Sequence, residues 1–532
     1  MEQSYDYVIC GGGLVGCVLA SRLSHAGHSV VLLEAGPEDY SEQVMSPVAA
    51  PRLLGSPLQY NLHTTNQPRF ANRAVHNHVG KLLSGSSAVN YGLWTRGHSV
   101  DYDAWASAVG NERWSYKNML PYFKKSETHY DPEAGSDLHG FSGPIATTAG
   151  ARIYPLRETF KAAFLSTGLQ YNADTNSGNP FGFGKFTENW KNGQRQPAGK
   201  AYDLTRATVI TQSTVASVIF EGGDHIASGV TLTNGARYKA KKEVIVTCGA
   251  LKTPQLLMLS GIGPEKHLSQ HGIKTIANLP VGENFHDHIS AALFWKVKHP
   301  EQGVTVGSPL FNKPEFLHGN PMEWIATIST PREELVKAAS IDNIDHEDPY
   351  LKEPRGNAEV FVAYAPIAGD SSRPPDGTLI STPVVLLLPT SRGSLLLADT
   401  NPLSDPVLDG NYLATETDRA AMRAGIRLAL RLMETGPARE AIDAEYLPEG
   451  CLPLSSASSD AEIDQRISVV ANSFYQNAGT AAMGTVVDSE CRVKGVKNLR
   501  VCDASVVPLP IAGHYQSPMY AFAESVADLL LY

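Results

Sequence analysis

The chain lacks several features that mark broad classes of protein. It has six cysteines in 532 residues and no CxxC pair, so neither a disulfide framework nor a zinc site is predicted, and no metal ion is expected. It has no lysine- or arginine-rich run, and its net charge of -10 repels phosphate backbones, which argues against a nucleic-acid partner. No apolar run reaches the roughly 18 residues that a membrane span needs, so no membrane partner is expected.

Targeting signals are lacking as well. The first residues run directly into a β-rich stretch, without the basic region and apolar run of a secretory signal. There is no N-x-[ST] acceptor for N-glycosylation. Both absences lead us to expect a cytoplasmic protein.

The sequence does contain a strand, a glycine-rich turn, a helix and a second strand close to its start. Tyr5–Cys10 is β-rich, Cys17–His25 has helical composition, and Ser29–Leu33 is again typical of a strand. This order predicts a βαβ unit.

The turn in this unit carries a dinucleotide-binding pattern at Gly11, Gly13 and Gly16. The first glycine permits a tight turn, the second lets the backbone approach a pyrophosphate, and the third lets helix and strand pack closely. Glu34 closes the second strand, where a carboxylate can accept hydrogen bonds from both ribose hydroxyls. The pattern predicts a site for the ADP half of a dinucleotide but does not distinguish FAD from NAD.

The rest of the chain shows no internal repeat and no clear linker, which favours interleaved domains. Residues 37–80 and 300–380 are expected to be largely irregular. Further strands are predicted at Thr205–Phe220, Ala227–Lys239 (with a turn at Thr233–Gly235), Glu243–Thr247, Pro383–Leu388 and Gly393–Leu397, and helices at Thr415–Thr435 and at the carboxyl terminus.

Four further stretches, in this order along the chain, carry a family resemblance. They are the loop Gly80–Asn90 with Thr95-Arg96-Gly97 and Asp101-Tyr102-Asp103-x-Trp105 after it; Gly249–Pro264; Val281–His288; and Val501-Cys502-Asp503-Ala504-Ser505. Together they resemble the glucose-methanol-choline (GMC) oxidoreductases over the whole chain. One departure is Ser84, because family members usually carry two glycines where this chain has Ser84-Gly85.

The resemblance implies an α/β (α+β) fold in two interleaved parts. A Rossmann-like FAD-binding domain is expected at residues 1–300 and 471–532. A substrate-binding domain built on an antiparallel β-sheet is expected at residues 301–470.

The resemblance also implies that the dinucleotide is FAD. Some members attach the flavin covalently through a histidine at the position of Val89, so noncovalent FAD is expected here. An alternative interpretation of Asp503 is a helix-capping aspartate. The residues expected to bind FAD are Gly11, Gly13, Leu14, Val15, Gly16, Glu34, Ala35, Leu83, Ser84, Ser87, Asn90, Val215, Asp503, Ala504, Tyr515 and Gln516.

The expected catalytic positions contain an anomaly. Family members usually place a histidine base in a segment of the form His-Pro-x-Gly-Thr-x-x-Met-Gly, and the matching position here is Gln476, whose amide takes up no proton near neutral pH. The second family position is His514, and Gln476 is expected to be its hydrogen-bonding neighbour. Phe474 and Tyr475 are candidates for the substrate-cavity wall, and each could equally be a core residue.

Three interpretations of this site stay open. In the first, His514 is the base for oxidation of an alcohol of a small organic, aromatic or polyketide-like metabolite, with O2 or another acceptor taking the electrons. In the second, the substrate is a phenol, enol or activated C–H that needs less help from a base. In the third, the pocket serves non-oxidative chemistry, as a lyase, isomerase, cyclase or photoenzyme. The oligomeric state is not predicted.

Other histidines receive structural interpretations. His63, His76 and His78 are interpreted as exposed loop residues. His286 and His288 flank Asp287, and adjacent side chains on an extended backbone point apart, which disfavours a catalytic dyad.

Overall fold

The computed structural model describes residues 3–46, 49–149, 152–223, 225–345, 348–367 and 375–532. Its strands are β1 Gln3–Cys10, β2 Val30–Leu33, β3 Gln59–His63, β4 His76–Gly80, β5 Glu127–Thr128, β6 Ile145–Ala146, β7 Thr148–Ala149, β8 Gly182–Lys185, β9 Thr187–Glu188, β10 Thr208–Ile210, β11 Val215–Glu221, β12 Ile226–Leu232, β13 Arg237–Val246, β14 Ile262–Gly263, β15 Ala277–Asn278, β16 Ile289–Val297, β17 Met322–Ile328, β18 Ala358–Ala363, β19 Leu379–Leu386, β20 Ser394–Leu396, β21 Val407–Asp409, β22 Ile442–Tyr446, β23 Asn472–Ser473 and β24 Leu499–Val501. Its helices are α1 Leu14–His25, α2 Glu42–Met45, α3 Ala50–Leu53, α4 Ser99–Val109, α5 Tyr116–Ser126, α6 Arg157–Ser166, α7 Ala198–Ala201, α8 Gly249–Leu259, α9 Glu265–Gln270, α10 Arg332–Ile341, α11 Pro349–Lys352, α12 Glu416–Glu434, α13 Gly436–Ala441, α14 Asp460–Val470 and α15 Gln516–Leu531.

The first large sheet has seven strands in the order β10-β2-β1-β13-β12-β11, with β24 also paired to β13. Strands β10, β2, β1, β13 and β24 are parallel, whereas β11 and β12 form an antiparallel extension. Strand β1 is buried at its carboxyl-terminal half because Val8 to Cys10 lie between neighbours on both sides. The edge at the carboxyl ends of these parallel strands is where doubly wound folds bind ligands.

The second large sheet also has seven strands, in the order β22-β16-β19-β18-β17-β8, with β23 beside β16. The pairs between these strands are antiparallel. Strands β18 and β19 are buried along their whole length, and α12 packs against both. Three of its strands, β8, β16 and β23, come from outside residues 301–470, so the two sheets interleave along the chain. The boundaries of the two expected domains stay a prediction.

Several element predictions are confirmed. The long helix predicted at Thr415–Thr435 is α12, and Thr415 caps its first turn by accepting from Asp418 N. The turn predicted at Thr233–Gly235 joins β12 to β13. The carboxyl-terminal helix is α15, which packs against α1 and α5.

Other element predictions are wrong in ways that local interactions explain. The strand predicted at Thr205–Phe220 is broken between β10 and β11, because Gln212 has a φ of +54° and Ser213 N donates to Glu34 O. The pattern predicted at Ala227–Lys239, with its turn, is confirmed as the hairpin of β12 and β13, but β13 is longer than predicted and continues into the strand predicted at 243–247. The segment 37–80 contains the hairpin of β3 and β4, and 300–380 contains β17, β18 and α10.

Within the described ranges, none of the helices combines the length and apolar character needed to cross a membrane.

Candidate active site

The glycine turn predicted to hold a pyrophosphate lies between β1 and α1. A Cβ on Gly16 would sit 2.1 Å from Gly11 O, so this glycine allows the helix to pack against the turn. Gly11 has a φ of +110°, a backbone conformation that favours glycine. A Cβ on Gly13 would meet nothing nearer than 3.7 Å, so the turn is open to the adjacent cleft there. Gly13 caps α1 without a side-chain hydrogen bond, which leaves backbone N–H groups of the first turn for an anion.

Glu34 lies at the end of β2 and lines the same cleft. One of its carboxylate oxygens accepts from Gly12 N at 2.7 Å, and the other accepts from Gly36 N at 2.8 Å. Burial raises the pKa of Glu34 to about 7, against the lowering effect of these backbone N–H groups. The carboxyl therefore fixes the glycine turn as well as facing the cleft.

The serine-rich loop lies directly on the glycine turn. A Cβ on Gly85 would be 2.8 Å from Gly13 Cα, and Ser84 N donates to Gly12 O. Ser84 adopts a φ of +86°, the conformation that glycine accepts most easily. This explains why glycine is the residue expected at that position. Ser84 Oγ accepts from Gly199 N at 2.9 Å, which ties α7 to the loop.

Asp503 is a capping residue, which is one of the two roles considered from the sequence. Its carboxylate caps the following turn by accepting from Ser505 N at 2.8 Å. The same carboxylate accepts from Gly249 N at 2.9 Å and Thr253 Oγ1 at 2.6 Å, which anchors the start of α8. Asp503 and Ala504 also line the cleft beside the glycine turn.

The cleft has a volume of about 300 Å³ and collects most of the residues expected to bind FAD. Gly16, Leu83 and Ser84 are the exceptions, since they build the packing behind its wall. The others line it: Gly11, Gly13, Leu14, Val15, Glu34, Ala35, Ser87, Asn90, Val215, Asp503, Ala504, Tyr515 and Gln516.

Tyr60, Lys81 and Lys252 are among the cleft residues that the sequence did not predict. The Tyr60 ring lies between two ammonium groups, with Lys81 Nζ at 5.2 Å and Lys252 Nζ at 4.8 Å from its centroid. Burial lowers the pKa of Lys252 from its usual value. Lys81 and Lys252 lie within two of the motifs given above, but nothing in the sequence predicted that both ammonium groups contact the Tyr60 ring.

A second, smaller cavity of about 150 Å³ adjoins the cleft. Asn90, Tyr475, Gln476 and Gln516 line both spaces, so the two are continuous at these residues. Phe474 and Tyr475 were candidates for a cavity wall, and both line this cavity. Its remaining wall is mainly apolar and includes Leu93, Phe186, Ala292, Met322, Phe361, Ile367, Pro383 and Val470.

His514 lies on the wall of this second cavity and pairs with Glu359. His514 Nε2 is 3.0 Å from Glu359 Oε1, and the two side chains are 6% and 2% exposed. Nδ1 of His514 has no hydrogen-bond partner among the described residues, and it retains solvent-accessible surface. Because His514 lines the second cavity, this nitrogen is accessible from that cavity. A neutral ring that donates Nε2–H to Glu359 therefore presents an acceptor lone pair to the cavity.

The loop that carries His514 is held by the motif that follows the serine-rich loop. His514 N donates to Thr95 Oγ1 at 2.8 Å, and Ala512 N donates to Asp101 Oδ2 at 2.7 Å. Asp101 is itself held by Arg355, whose Nε donates to Oδ1 at 2.8 Å. The backbone position of His514 is therefore fixed from two sides.

Gln476 does not take the position expected of it. Its Oε1 accepts from Tyr515 N at 2.8 Å, and no hydrogen bond joins it to His514 in the part of the chain that the structure describes. Gln476 N donates to Asp287 Oδ1 at 2.6 Å, and burial raises the pKa of Asp287 to about 7. The expected side-chain contact between Gln476 and His514 is therefore wrong, because the amide is used to hold the backbone next to His514.

His286 and His288 take structural positions. His288 Nε2 lies 3.2 Å from Ile511 O, and its ring packs against Tyr515 with centroids 5.3 Å apart. Burial first, and then the neighbouring His514, lower the pKa of His288 to about 3. His288 is thus held as a neutral ring beneath the active-site loop.

His63, His76 and His78 are not loop residues. They lie on the hairpin of β3 and β4, with His63 paired directly to His76 and their Nε2 atoms 3.1 Å apart. His78 lines the second cavity and meets the Tyr475 ring edge-on at 5.4 Å. The sequence missed this hairpin because it lacks a clear alternating apolar pattern.

One group of potential metal ligands occurs among the described residues, at Glu127, His129 and His139. Both ring nitrogens of His139 already face carboxylates, Glu127 at 2.8 Å and Asp174 at 3.0 Å. Arg96 pairs with the same Glu127 carboxylate at 2.5 Å. The group is therefore described as a buried ion-pair network.

The βαβ turn, the cleft at the strand ends and the adjoining apolar cavity define the class of dinucleotide-binding enzymes. Family models described as GMC oxidoreductase match residues 5–290 and 389–523. The chain is 65% identical to the GMC-type oxidoreductase acuG of Aspergillus aculeatus over the full length of both. It is 34% identical to an oxygen-dependent choline dehydrogenase of Vibrio vulnificus, over 100% of this chain and 95% of the relative.

Solved structures with a similar fold include oxidases. Pyridoxine 4-oxidase from Mesorbium loti superposes with a TM-score of 0.85 at 29% identity, covering 98% of each chain. A formate oxidase variant from Aspergillus oryzae superposes with a TM-score of 0.88 at 28% identity, covering 100% of this chain and 99% of that one. The chain belongs to the GMC oxidoreductase family, and its cofactor is FAD.

Proposed function

We propose that this protein oxidises an alcohol group of a small, neutral, mainly apolar organic molecule, with His514 as the base for the hydroxyl proton. The observation that carries the proposal is the buried Glu359–His514 pair, whose free ring nitrogen is accessible from an apolar cavity next to the cofactor cleft. When bound, FAD supplies the acceptor for the hydride that leaves the carbinol carbon.

The cleft geometry supports the following proposed cofactor-binding roles. The open turn at Gly13 and the uncapped start of α1 favour the pyrophosphate. Glu34 favours the ribose hydroxyls at the end of β2. The flavin end is assigned to the junction of the two cavities, where Asn90 and Gln516 line both spaces. Asn90 Nδ2 donates to Gln516 Oε1 at 2.7 Å, so this junction is a fixed pair of amides.

The base is assigned to His514 because it is the ionisable side chain that combines access to the cavity with a carboxylate partner. Glu359 holds the proton on Nε2, so Nδ1 is the acceptor for the substrate hydroxyl. As Nδ1 takes the proton, the ring becomes positively charged, and the Glu359 carboxylate stabilises that charge. The remaining alcohol oxygen gains electron density, which favours hydride loss from its carbon.

We assign Gln476 a positioning role. It stands at the position where family members usually have a histidine. Its Oε1 binds Tyr515 N, one residue after His514, while its own N–H is held by Asp287. The amide cannot serve as a base. Proton transfer therefore depends on one histidine instead of two.

The experiment is anaerobic mixing of the FAD-loaded protein with a panel of alcohols, with the flavin absorption followed in time. The panel contains benzyl alcohol, hydroxybenzyl alcohols, methanol, glucose and choline. We expect bleaching with the benzyl alcohols and little with glucose or choline, because no Asp, Glu, Lys or Arg lines the described cavity wall. His514→Ala should slow bleaching by on the order of 10²- to 10⁴-fold, as removal of a general base does.

The matched control is His299→Ala, since His299 is an exposed histidine far along the chain from the site. An undiminished rate in His514→Ala would refute the base assignment. Product formation without any bleaching would refute oxidation and favour the non-oxidative interpretation of the pocket.

A further inference from the structure

The wall of the substrate cavity carries five side-chain amides, at Gln59, Asn90, Asn320, Gln476 and Gln516. The oxygens of Asn90, Gln476 and Gln516 accept hydrogen bonds from the protein. The oxygen of Gln59 is sealed from solvent-accessible space. Asn320 Oδ1 differs from the oxygens of all four other amides. It retains solvent-accessible surface, and it accepts no hydrogen bond from any described residue.

The orientation of the Asn320 amide is fixed. Its Nδ2 donates to Tyr91 O at 2.6 Å and to Glu188 Oε2 at 2.7 Å, so both amide hydrogens have acceptors. Its backbone N–H donates to the same Glu188 oxygen at 2.7 Å. Glu188 is buried and held in turn by Arg152. A flipped amide would place Oδ1 against two acceptors, so the acceptor stays directed away from them.

Asn320 and His514 lie at opposite ends of one pair of strands. Glu359, the partner of His514, is paired across the sheet with Thr327, whereas Met322 is paired with Ala363. Asn320 precedes Met322. The two positions on β18 are four residues apart, which is about 13 Å along a strand.

The wall between these ends is apolar. Phe361 lies on β18 between Glu359 and Ala363, and Phe186 packs beside it with ring centroids 5.9 Å apart. A single fixed acceptor at the far end of an apolar cavity penalises any substrate that leaves it unpaired.

We propose that Asn320 Oδ1 binds a second hydroxyl group of the substrate, so that the substrate is a neutral aryl alcohol with a phenolic hydroxyl remote from its carbinol. This inference rests on the proposed alcohol oxidation for the identity of the reacting group. The aromatic body packs against the Phe186 and Phe361 side chains. The carbinol lies at His514 and the phenol donates to Asn320.

The test compares substrates that differ in one hydrogen-bond donor. For the holoenzyme, kcat/KM is measured with the 2-, 3- and 4-hydroxybenzyl alcohols and with the corresponding methoxybenzyl alcohols, which lack the phenolic donor. One hydroxy isomer should exceed its methoxy counterpart by about 10- to 100-fold, the cost of one unpaired buried acceptor. In Asn320→Ala that ratio should fall to near 1, whereas a merely structural loss would lower both rates equally.

A binding measurement separates this inference from the proposed function. The dissociation constants of the cresols and the methylanisoles for the holoenzyme are measured by calorimetry, with no turnover required. Tighter binding of a cresol that is lost in Asn320→Ala supports the subsite even if no alcohol is oxidised. Equal binding of cresols and methylanisoles by the wild-type protein would overturn it.

Ser290→Ala is the matched control, because Ser290 is another buried polar residue on the cavity wall. The hydroxy-to-methoxy ratio should be unchanged in that variant. A ratio that collapses in Ser290→Ala and persists in Asn320→Ala would assign the subsite to the serine and overturn the inference.

Discussion

The Glu359→Gln substitution gives the sharpest test of how His514 acts. Glutamine has nearly the same size as glutamate, so the substitution removes the charge at the 3.0 Å contact with His514 and leaves the packing of β18 intact. A hydrogen bond to a charged partner contributes about 1.5–3 kcal/mol. Loss of that contribution during proton transfer lowers the rate of flavin reduction by about 10- to 150-fold.

The assay is stopped-flow flavin reduction without oxygen, with benzyl alcohol as the substrate. The carboxylate stabilises the positive charge that the ring acquires during proton transfer, so its removal should slow flavin reduction. Glu323→Gln is the control, since Glu323 is a buried glutamate on the neighbouring strand that accepts from Tyr364 OH. It should keep the wild-type rate.

A double variant tests whether Glu359 acts on the rate through His514 or independently of it. If Glu359 acts only through the ring, the pair His514→Ala and Glu359→Gln should be as slow as His514→Ala alone. The reasoning is refuted if Glu359→Gln retains the wild-type rate. It is also refuted if Glu359→Gln slows the His514→Ala variant by a further tenfold.

Two further predictions concern the cofactor and acid stability. Acid precipitation should release all flavin into the supernatant, because Val89 stands where some relatives attach the flavin, and yellow colour in the washed pellet would contradict noncovalent binding. The folded-state pKa of His288 is about 3, below its usual value of 6.5, so the stability that the neutral ring provides is present above pH 6.5 and is lost progressively as pH falls towards 3. His288→Gln should therefore lose stability less steeply on acidification, by up to about 1.4 kcal/mol per pH unit, measured by urea unfolding from pH 6.5 to 4; a slope equal to wild type would argue against a buried neutral ring.

The glycine turn of the cofactor cleft was predictable because its residues are local in sequence. Gly11, Gly13 and Gly16 lie within one turn, where the positive φ of Gly11 and the close packing at Gly16 favour glycine, and Gly13 leaves the turn open to the cleft. The strand before the turn and Glu34 after it could be read from β-rich runs. The prediction that residues 37–80 are largely irregular was wrong at the β3–β4 hairpin. The two strands of this hairpin contain mostly polar residues and few apolar ones, so they lack the alternating pattern that predicts a strand.

The substrate side was less predictable because it is built from distant strands. Glu359 is a single carboxylate inside the buried apolar run Ala358–Ala363, and that signal was available in a segment expected to be irregular. A sequence can flag such a buried charge but cannot identify its partner. The partner, His514, lies more than 150 residues later and is brought to it by the pairing of β18 within the second sheet and by the Asp101 contact to Ala512.

Gln476 illustrates how a substitution read from sequence can mislead about its consequence. Because it matches a position where family members usually have a histidine base, it suggests a lost base and a weakened site. In the structure its amide oxygen holds Tyr515 N, and its own N–H is bound by Asp287, so the residue fixes the loop that carries the remaining histidine. Glu359 provides His514 with the carboxylate partner that a lone base needs. Under the proposed function, His514 with its carboxylate partner would suffice for proton abstraction from an alcohol, so Gln476 does not by itself argue for non-oxidative chemistry.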